Sequence, residues 1–315
     1  VKTPSSAAPT WVTEEISMEL FVERLLAGVT NGSIFALLAL ALVMVYRSTG
    51  TLNFAQGEFA LFSAFFAWWL VGTGLPVWAA VIAGMVAGFV LCAAAERALI
   101  RPVQRKSELA TLIVALGLFS GLNAAVALIW GTDTKVMPSI VPNGLEDYFE
   151  LFGARVYGDT VITWVALAAV TILMTLLFTK TELGLHMRAV ADNAESAALT
   201  GVNTSRILML GWGLAGAIGA LAGSLATPLA PEQLSVTTMF PIFIGACAAA
   251  LLGGLDSLAG AVIGGLIIGV VEAMVTGYVP LVGGAMQQTT AMVLIVLILV
   301  VRPNGLFGSK ELERV

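Results

Sequence analysis

Charge is scarce in this chain: 11% of its 315 residues are Asp, Glu, Lys or Arg, against about a quarter in an ordinary soluble domain. Histidine is scarcer. His186 stands alone, which excludes a His-based dyad inside an apolar segment and any HExxH zinc site. The two cysteines, Cys92 and Cys247, both lie in apolar runs without metal-ligand spacing, where a thiol behaves as a small hydrophobe. No GxxxxGKS/T loop occurs, so the chain is not itself a P-loop ATPase. A net charge of −5 and a pI near 5.0 provide no basic footprint for nucleic acid.

What the chain has in quantity is apolar surface, 58% hydrophobic residues with a mean hydropathy of +0.95. That composition identifies an all-α, polytopic membrane bundle. No polar stretch is long enough to build a separate core, so one membrane domain is expected over 25–308. An external tail over 1–24 precedes it and a cytoplasmic tail over 309–315 follows. The first 24 residues lack the apolar centre of a signal peptide, and a helix is expected from Thr13 onward.

A membrane-crossing helix needs about 20 mostly apolar residues. Candidate runs lie near 25–46, 53–72, 76–98, 109–130, 159–179, 207–226, 239–255, 258–276 and 286–301. These give eight or nine spans, the seventh and eighth being weakest because Pro241 interrupts the entry and Gly253, Gly254 and Asp256 leave only a tight turn. Cytoplasmic loops retain Lys and Arg. Of the 15 cations, 11 fall on one side, and only Lys2, Arg24, Lys135 and Arg155 on the other. The N-terminus is therefore expected outside and the C-terminus in the cytoplasm. Two substantial external segments remain, 131–158 and 227–238, the first read as a solvated loop or a partner contact.

Helices associate in lipid through small residues four apart. Gly211, Ala215, Gly219 and Gly223 form one such ridge, Gly260 and Gly264 with Gly265 and Gly269 another, and Gly84 with Gly88 a third. They either hold this bundle together or face a second subunit or moving gate, and both readings stay open here.

The segment 180–206 is too polar to cross the membrane and is the longest cytoplasmic loop. Asp192 followed by Glu195 makes a capping-box pattern, and Gly201 supplies a left-handed stop. Between them a helix of about two turns is expected. Ala194, Ala197, Ala198 and Gly201 share one face of it, small enough to fit a groove on another protein or to pack on the chain's own membrane ends.

Glu195, Ala197, Ala198 and Gly201 resemble the EAA loop of ABC importer permeases, the element that docks on the ATPase subunit. Ser196 stands in place of the middle alanine, and Gly211 where Ile is usual. The stretch GVTNGSIFALLALALVMVYRSTGTLNFAQGEF, Gly28 to Phe59, closely resembles the opening of the LivH-type permease subunit of branched-chain amino acid ABC importers. So does the ending RPNGLFG, Arg302 to Gly308. The similarity runs in order from about 25 to 308. The family form carries His where this chain has Gln56, which keeps hydrogen bonding but removes a titratable group.

The resemblance implies a permease of the bacterial or archaeal cytoplasmic (inner) membrane. It would pair with a second related permease subunit and two cytoplasmic ATPase subunits, receive cargo from an extracytoplasmic substrate-binding protein, and sit in membrane lipid. Branched-chain amino acids are the family's expected cargo, with amides, urea or aromatic acids in related importers. The chain itself would be no enzyme and hold no cofactor; ATP and Mg would lie on the ATPases. Asp192, Glu195, Ala197, Ala198 and Gly201 would then couple it to them.

The rival is a gradient-driven secondary transporter, which needs coupling carboxylates near mid-membrane. Glu58, Glu96, Asp256 and Glu272 are the acids in or beside spans, and the span limits put all four off centre. Asn31, Asn53, Gln56, Asn123, Gln287 and Gln288 are neutral polar residues there. They suit a translocation path that holds a zwitterion weakly, or bonds between helices. Asn53 and Gln56, three apart at the cytoplasmic start of span two, fit a variant capping box, with Glu58 favoured by the helix dipole. The three are expected to form a polar hinge near the inner face.

Overall fold

The computed structural model describes residues 10–104, 107–141, 148–229, 233–279, 287–302 and 305–308, without the side chains of 10–17, 108 and 287–288. The expected tail over 309–315 lies outside the described residues, as do residues 1–9 of the expected external tail.

Each apolar run is helical: α1 (Thr10–Thr49), α2 (Gln56–Gly72), α3 (Val77–Ala95), α5 (Glu108–Trp130), α6 (Gly158–Lys180), α9 (Thr204–Ala226), α10 (Met239–Gly253), α11 (Leu258–Tyr278) and α12 (Gln287–Val301). Six helices among the described residues are long and apolar enough to cross a membrane. The others, α2, α10 and α12, have 17, 15 and 15 residues. At about 1.5 Å per residue, α10 covers only ~22 Å of a ~30 Å hydrocarbon layer.

From Ile34 to Val45 α1 is apolar all round, as a helix enclosed by others must be. Every residue from Ile34 to Val45 is buried, and α9, α10 and α11 pack around it. The glycine ridges make these contacts close. A Cβ on Gly269 would lie 2.3 Å from the Gly32 Cα, and one on Gly264 2.2 Å from the Ala249 carbonyl oxygen. The α9 ridge faces inward too: a Cβ on Gly219 or Gly223 would stand 2.9 Å from the Gln56 Nε2 or the Ala60 carbonyl oxygen of α2, while one on Gly216, outside that ridge, would fall 2.2 Å from the Gly88 carbonyl oxygen of α3. At these residues, then, the ridges bind the chain to itself.

Two features depart from a plain helical bundle. The segment 131–158, expected to be external, contains an antiparallel hairpin of β1 (Tyr148–Leu151) and β2 (Ala154–Tyr157), with Tyr148 opposite Tyr157 and Glu150 opposite Arg155. Phe152 and Gly153 turn it at φ 53° and 85°, the left-handed pair that a two-residue hairpin requires. Ala154 and Val156 are buried, so alternation along β2 turns part of the expected loop into a docked ribbon. α3 continues through a π turn, Glu96–Ile100, into α4 (Arg101–Gln104). Pro102 has no N–H to give the carbonyl four residues back, and a widened turn accommodates that loss.

Candidate functional site at mid-depth

The segment TLNFAQGEF leaves the end of α1 as irregular backbone and becomes helical at Gln56. Asn53 is 2% exposed, Gln56 0% and Glu58 1%, so every polar atom here must find a partner within the protein. The Asn53 Oδ1 accepts from the Ala55 N–H at 3.1 Å, closing a tight turn just before the helix. Its Nδ2 donates to the Gln56 Oε1 at 3.1 Å. The Gln56 Nε2 then donates across to the Ala215 carbonyl on α9 at 3.0 Å.

The variant capping box is therefore not formed. The residue preceding α2 is Ala55, which makes no side-chain cap, and Gln56 spends its amide on a neighbouring helix rather than on the Asn53 backbone. The close approach of α9 permits this: Gly219 has no side chain where a Cβ would stand 2.9 Å from the Gln56 Nε2.

Depth follows from the partners. Ala215 is the middle residue of Thr204–Ala226. Asn123, which donates to the Glu58 Oε2 at 3.0 Å, stands 7 residues from the Trp130 end of α5, about 10 Å along the axis. Asn53, Gln56 and Glu58 thus lie near the middle of the bundle, not at its inner face. The expected inner-face hinge is corrected accordingly, and so is the expectation that Glu58 lies off centre. Hydropathy places them wrongly because residues 50–55 continue inward as non-helical chain, which covers more distance per residue than helix.

A second half-length helix begins at the same level. The Met239 carbonyl and the Phe243 side chain lie against Gly57, and the Phe54 and Phe243 rings are 6.3 Å apart. From this meeting point α2 and α10 run to opposite ends. The chain reaches α10 through 233–238, expected to be external but reaching inward: Leu234 pairs with Lys135 through two backbone bonds of 2.8 Å, and the Val236 carbonyl accepts from the Asn123 Nδ2 at 2.8 Å. Non-helical backbone is tolerated at membrane depth where protein satisfies it.

Sequence reasoning missed the hydroxyls of this segment. The Ser235 Oγ lies 3.1 Å from the Thr237 Oγ1 and 3.0 Å from the Thr238 Oγ1, with Thr237 exposed. Read as an external loop, they carried no signal; their depth depends on the Asn123 bond.

The other expected path residues stand apart. Asn31 is half-buried on α1, and no described hydrogen bond joins it to the cluster. Gln287 and Gln288 open α12, and their side chains lie outside the described residues. Glu96 is fully buried and forked by Arg101, whose Nε donates to the Glu96 Oε1 at 2.9 Å. The same guanidinium donates to the Ser205 carbonyl at the start of α9 at 2.8 Å. Among the described residues no cluster of three or more His, Cys, Asp or Glu could hold a metal.

The polar loop forms two helices, α7 (Glu182–Asp192) and α8 (Ala194–Leu199). α8 is the expected short helix, and Gly201 ends it at φ 91°, with its N–H donating to the Ala198 carbonyl at 3.0 Å. Its cap differs from expectation. Asp192 is the last residue of α7 and so keeps helical geometry, leaving the cap to extended Asn193, whose Oδ1 accepts from the Ser196 N–H at 2.8 Å. Ala197 faces inward, buried; Glu195, Ala198 and Gly201 are exposed, and Leu199 is 86% exposed. Leu199 lies off the small-residue face of α8, so the spacing of the small residues does not point to it. α7 buries Gly184, Met187 and Val190, and a Cβ on Gly184 would fall 2.1 Å from the Leu177 carbonyl oxygen of α6.

Over nearly its whole length the chain is similar in sequence to known permeases. The chain is 30% identical over 94% of its length to the high-affinity branched-chain amino acid transport system permease protein LivH of Escherichia coli K12, covering 98% of that protein. It is 30% identical to the BraD permease of Pseudomonas aeruginosa over 94% of this chain and 98% of the relative. The probable LivH permease of Methanocaldococcus jannaschii is 28% identical over 91% and 93%. Residues 24–302 match the family described as branched-chain amino acid transport system / permease component, and the chain belongs to that family.

Proposed function

We propose that this chain is one of two related permease subunits of an ABC importer in a bacterial or archaeal cytoplasmic membrane. It crosses eight or nine times, with the N-terminus outside and the C-terminus in the cytoplasm. An extracytoplasmic binding protein delivers a branched-chain or related amino acid, and two cytoplasmic ATPase subunits, holding ATP and Mg, drive alternating access. The chain supplies path and gate, with no ATPase chemistry of its own.

The observation that carries this reading is α8. A six-residue helix, capped at one end by Asn193 and stopped at the other by Gly201, projects an exposed Leu199 from the cation-rich side. A rigid, apolar projection of this kind suits a groove on a motor subunit. It connects directly to α9 through 200–203, and α9 holds Gln56 through Ala215. Motion at α8 can therefore reach the mid-depth polar cluster through one helix.

α5 supports pairing with a second permease. A Cβ on Gly117 or Gly121 would meet nothing within 4 Å, whereas on most helical glycines it would press on another element. Ser120 and Ala124 are exposed beside them, while Val126 and Ala115 are buried on the opposite face. Small residues turned outward suit another helix better than lipid tails.

Ala198→Trp and Leu199→Asp test the coupling role. Both sites are exposed, so folding should be preserved while ATPase recovery in a detergent pull-down falls about tenfold or more, as for an interface anchor. Undiminished ATPase recovery and uptake in both variants would remove α8 from the coupling path.

A further inference from the structure

Glu58 presents a physical problem that the fold does not solve. The carboxyl group is 1% exposed at mid-depth, yet its described partner is the neutral amide of Asn123 at 3.0 Å. The described ion pairs lie elsewhere, between Arg101 and Glu96 and between Lys135 and Asp133. A carboxylate removed from water without a cation is costly, and such groups in membrane segments mark pathways or ligand partners. Glu96 shows the structural solution, a forked arginine beside it; among the described residues Glu58 has none.

Its surroundings lead toward a ligand. Asn123 is half-buried and bonds both Glu58 and the Val236 carbonyl. The next residue, Thr237, is exposed, and its hydroxyl lies 3.1 Å from that of Ser235. A small solute at the flank of α5 would meet these hydroxyls first and Glu58 behind Asn123.

Building on the importer reading, we infer that Glu58 is the counter-charge for the ammonium group of the transported solute, with the Ser235 and Thr237 hydroxyls contacting the remainder of its polar end. The subsite takes a primary ammonium zwitterion and discriminates against the equivalent hydroxy acid. Asn123 positions the carboxylate and moves aside as the path opens.

The test uses the full importer, both permeases with ATPases and binding protein, in proteoliposomes. Glu58→Gln should retain binding-protein-stimulated ATP hydrolysis but lose about tenfold or more of leucine uptake, the order expected when one partner of a desolvated charge pair is removed. A smaller loss with hydrolysis retained overturns the assignment. If hydrolysis falls as well, the wild-type complex decides through labelling of Glu58 by a hydrophobic carbodiimide, read by mass spectrometry. Protection by leucine but not by 2-hydroxy-4-methylpentanoate is the expected result, and any other pattern contradicts it. Failure of the wild-type complex to import leucine would instead sink the importer reading for this cargo.

Discussion

Replacing Gln56 by leucine keeps the volume of the side chain and removes both of its hydrogen bonds, to Asn53 at 3.1 Å and to the Ala215 carbonyl at 3.0 Å. The Asn53 amide then loses an acceptor in a place with no water, since Asn53 is 2% exposed and Gln56 fully buried. A net hydrogen bond contributes about 1 kcal/mol and a stranded buried donor costs about 1–3 kcal/mol, so the variant should be destabilised by about 2–4 kcal/mol. The damage should centre on the join between α2 and α9, where α8 motion enters. The melting midpoint of the detergent-solubilised complex and its ATP-driven uptake should therefore fall together. Gln56→His, which restores a ring N–H, should recover most of both. Gly219→Ala should act as a mild copy, because its Cβ would press on the Gln56 amide at 2.9 Å. Wild-type melting and uptake in the Gln56→Leu complex would show that neither hydrogen bond of Gln56 supports the α2–α9 join.

Other consequences follow from packing and from the buried ion pair. Gly216→Val places a Cβ 2.2 Å from the Gly88 carbonyl oxygen, a backbone atom that cannot move aside, so the protein should fail to accumulate in membranes. A Cβ on Gly121 would meet nothing within 4 Å, so Gly121→Leu should leave the melting of the isolated chain unchanged while lowering recovery of the second permease. Arg101→Met strands the fully buried Glu96 and should cost about 3–5 kcal/mol; adding Glu96→Leu should recover part of the lost melting temperature.

Much of the fold was legible because hydropathy and small-residue spacing report directly on helices packed in lipid. The nine apolar runs each contain a helix, and Gly264, Gly265 and Gly269 meet the neighbours their ridge implied. The short α8 and its Gly201 stop were readable from local chemistry alone. Depth was not. TLNFAQGEF and 233–238 have the composition of loops at a membrane face, and only the bonds from Gln56 to Ala215 and from Asn123 to Val236 place them inside. Those contacts join residues more than a hundred positions apart, beyond the reach of any local pattern. The same limitation displaced the cap from Asp192 to Asn193: two helices meet there, and one residue cannot end the first while capping the second. It also hid the meaning of Glu58, which hydropathy assigned to a helix start near water.

That correction removes one argument against ion coupling, since a carboxyl does lie near mid-depth. The decision between motors rests on uptake itself. The most direct measurement is leucine uptake into proteoliposomes containing this chain, its partner permease, two ATPases and a binding protein outside. Accumulation should require ATP on the ATPase side and survive a protonophore. Uptake by this chain alone, without ATP and abolished by the protonophore, would contradict ATP-driven import.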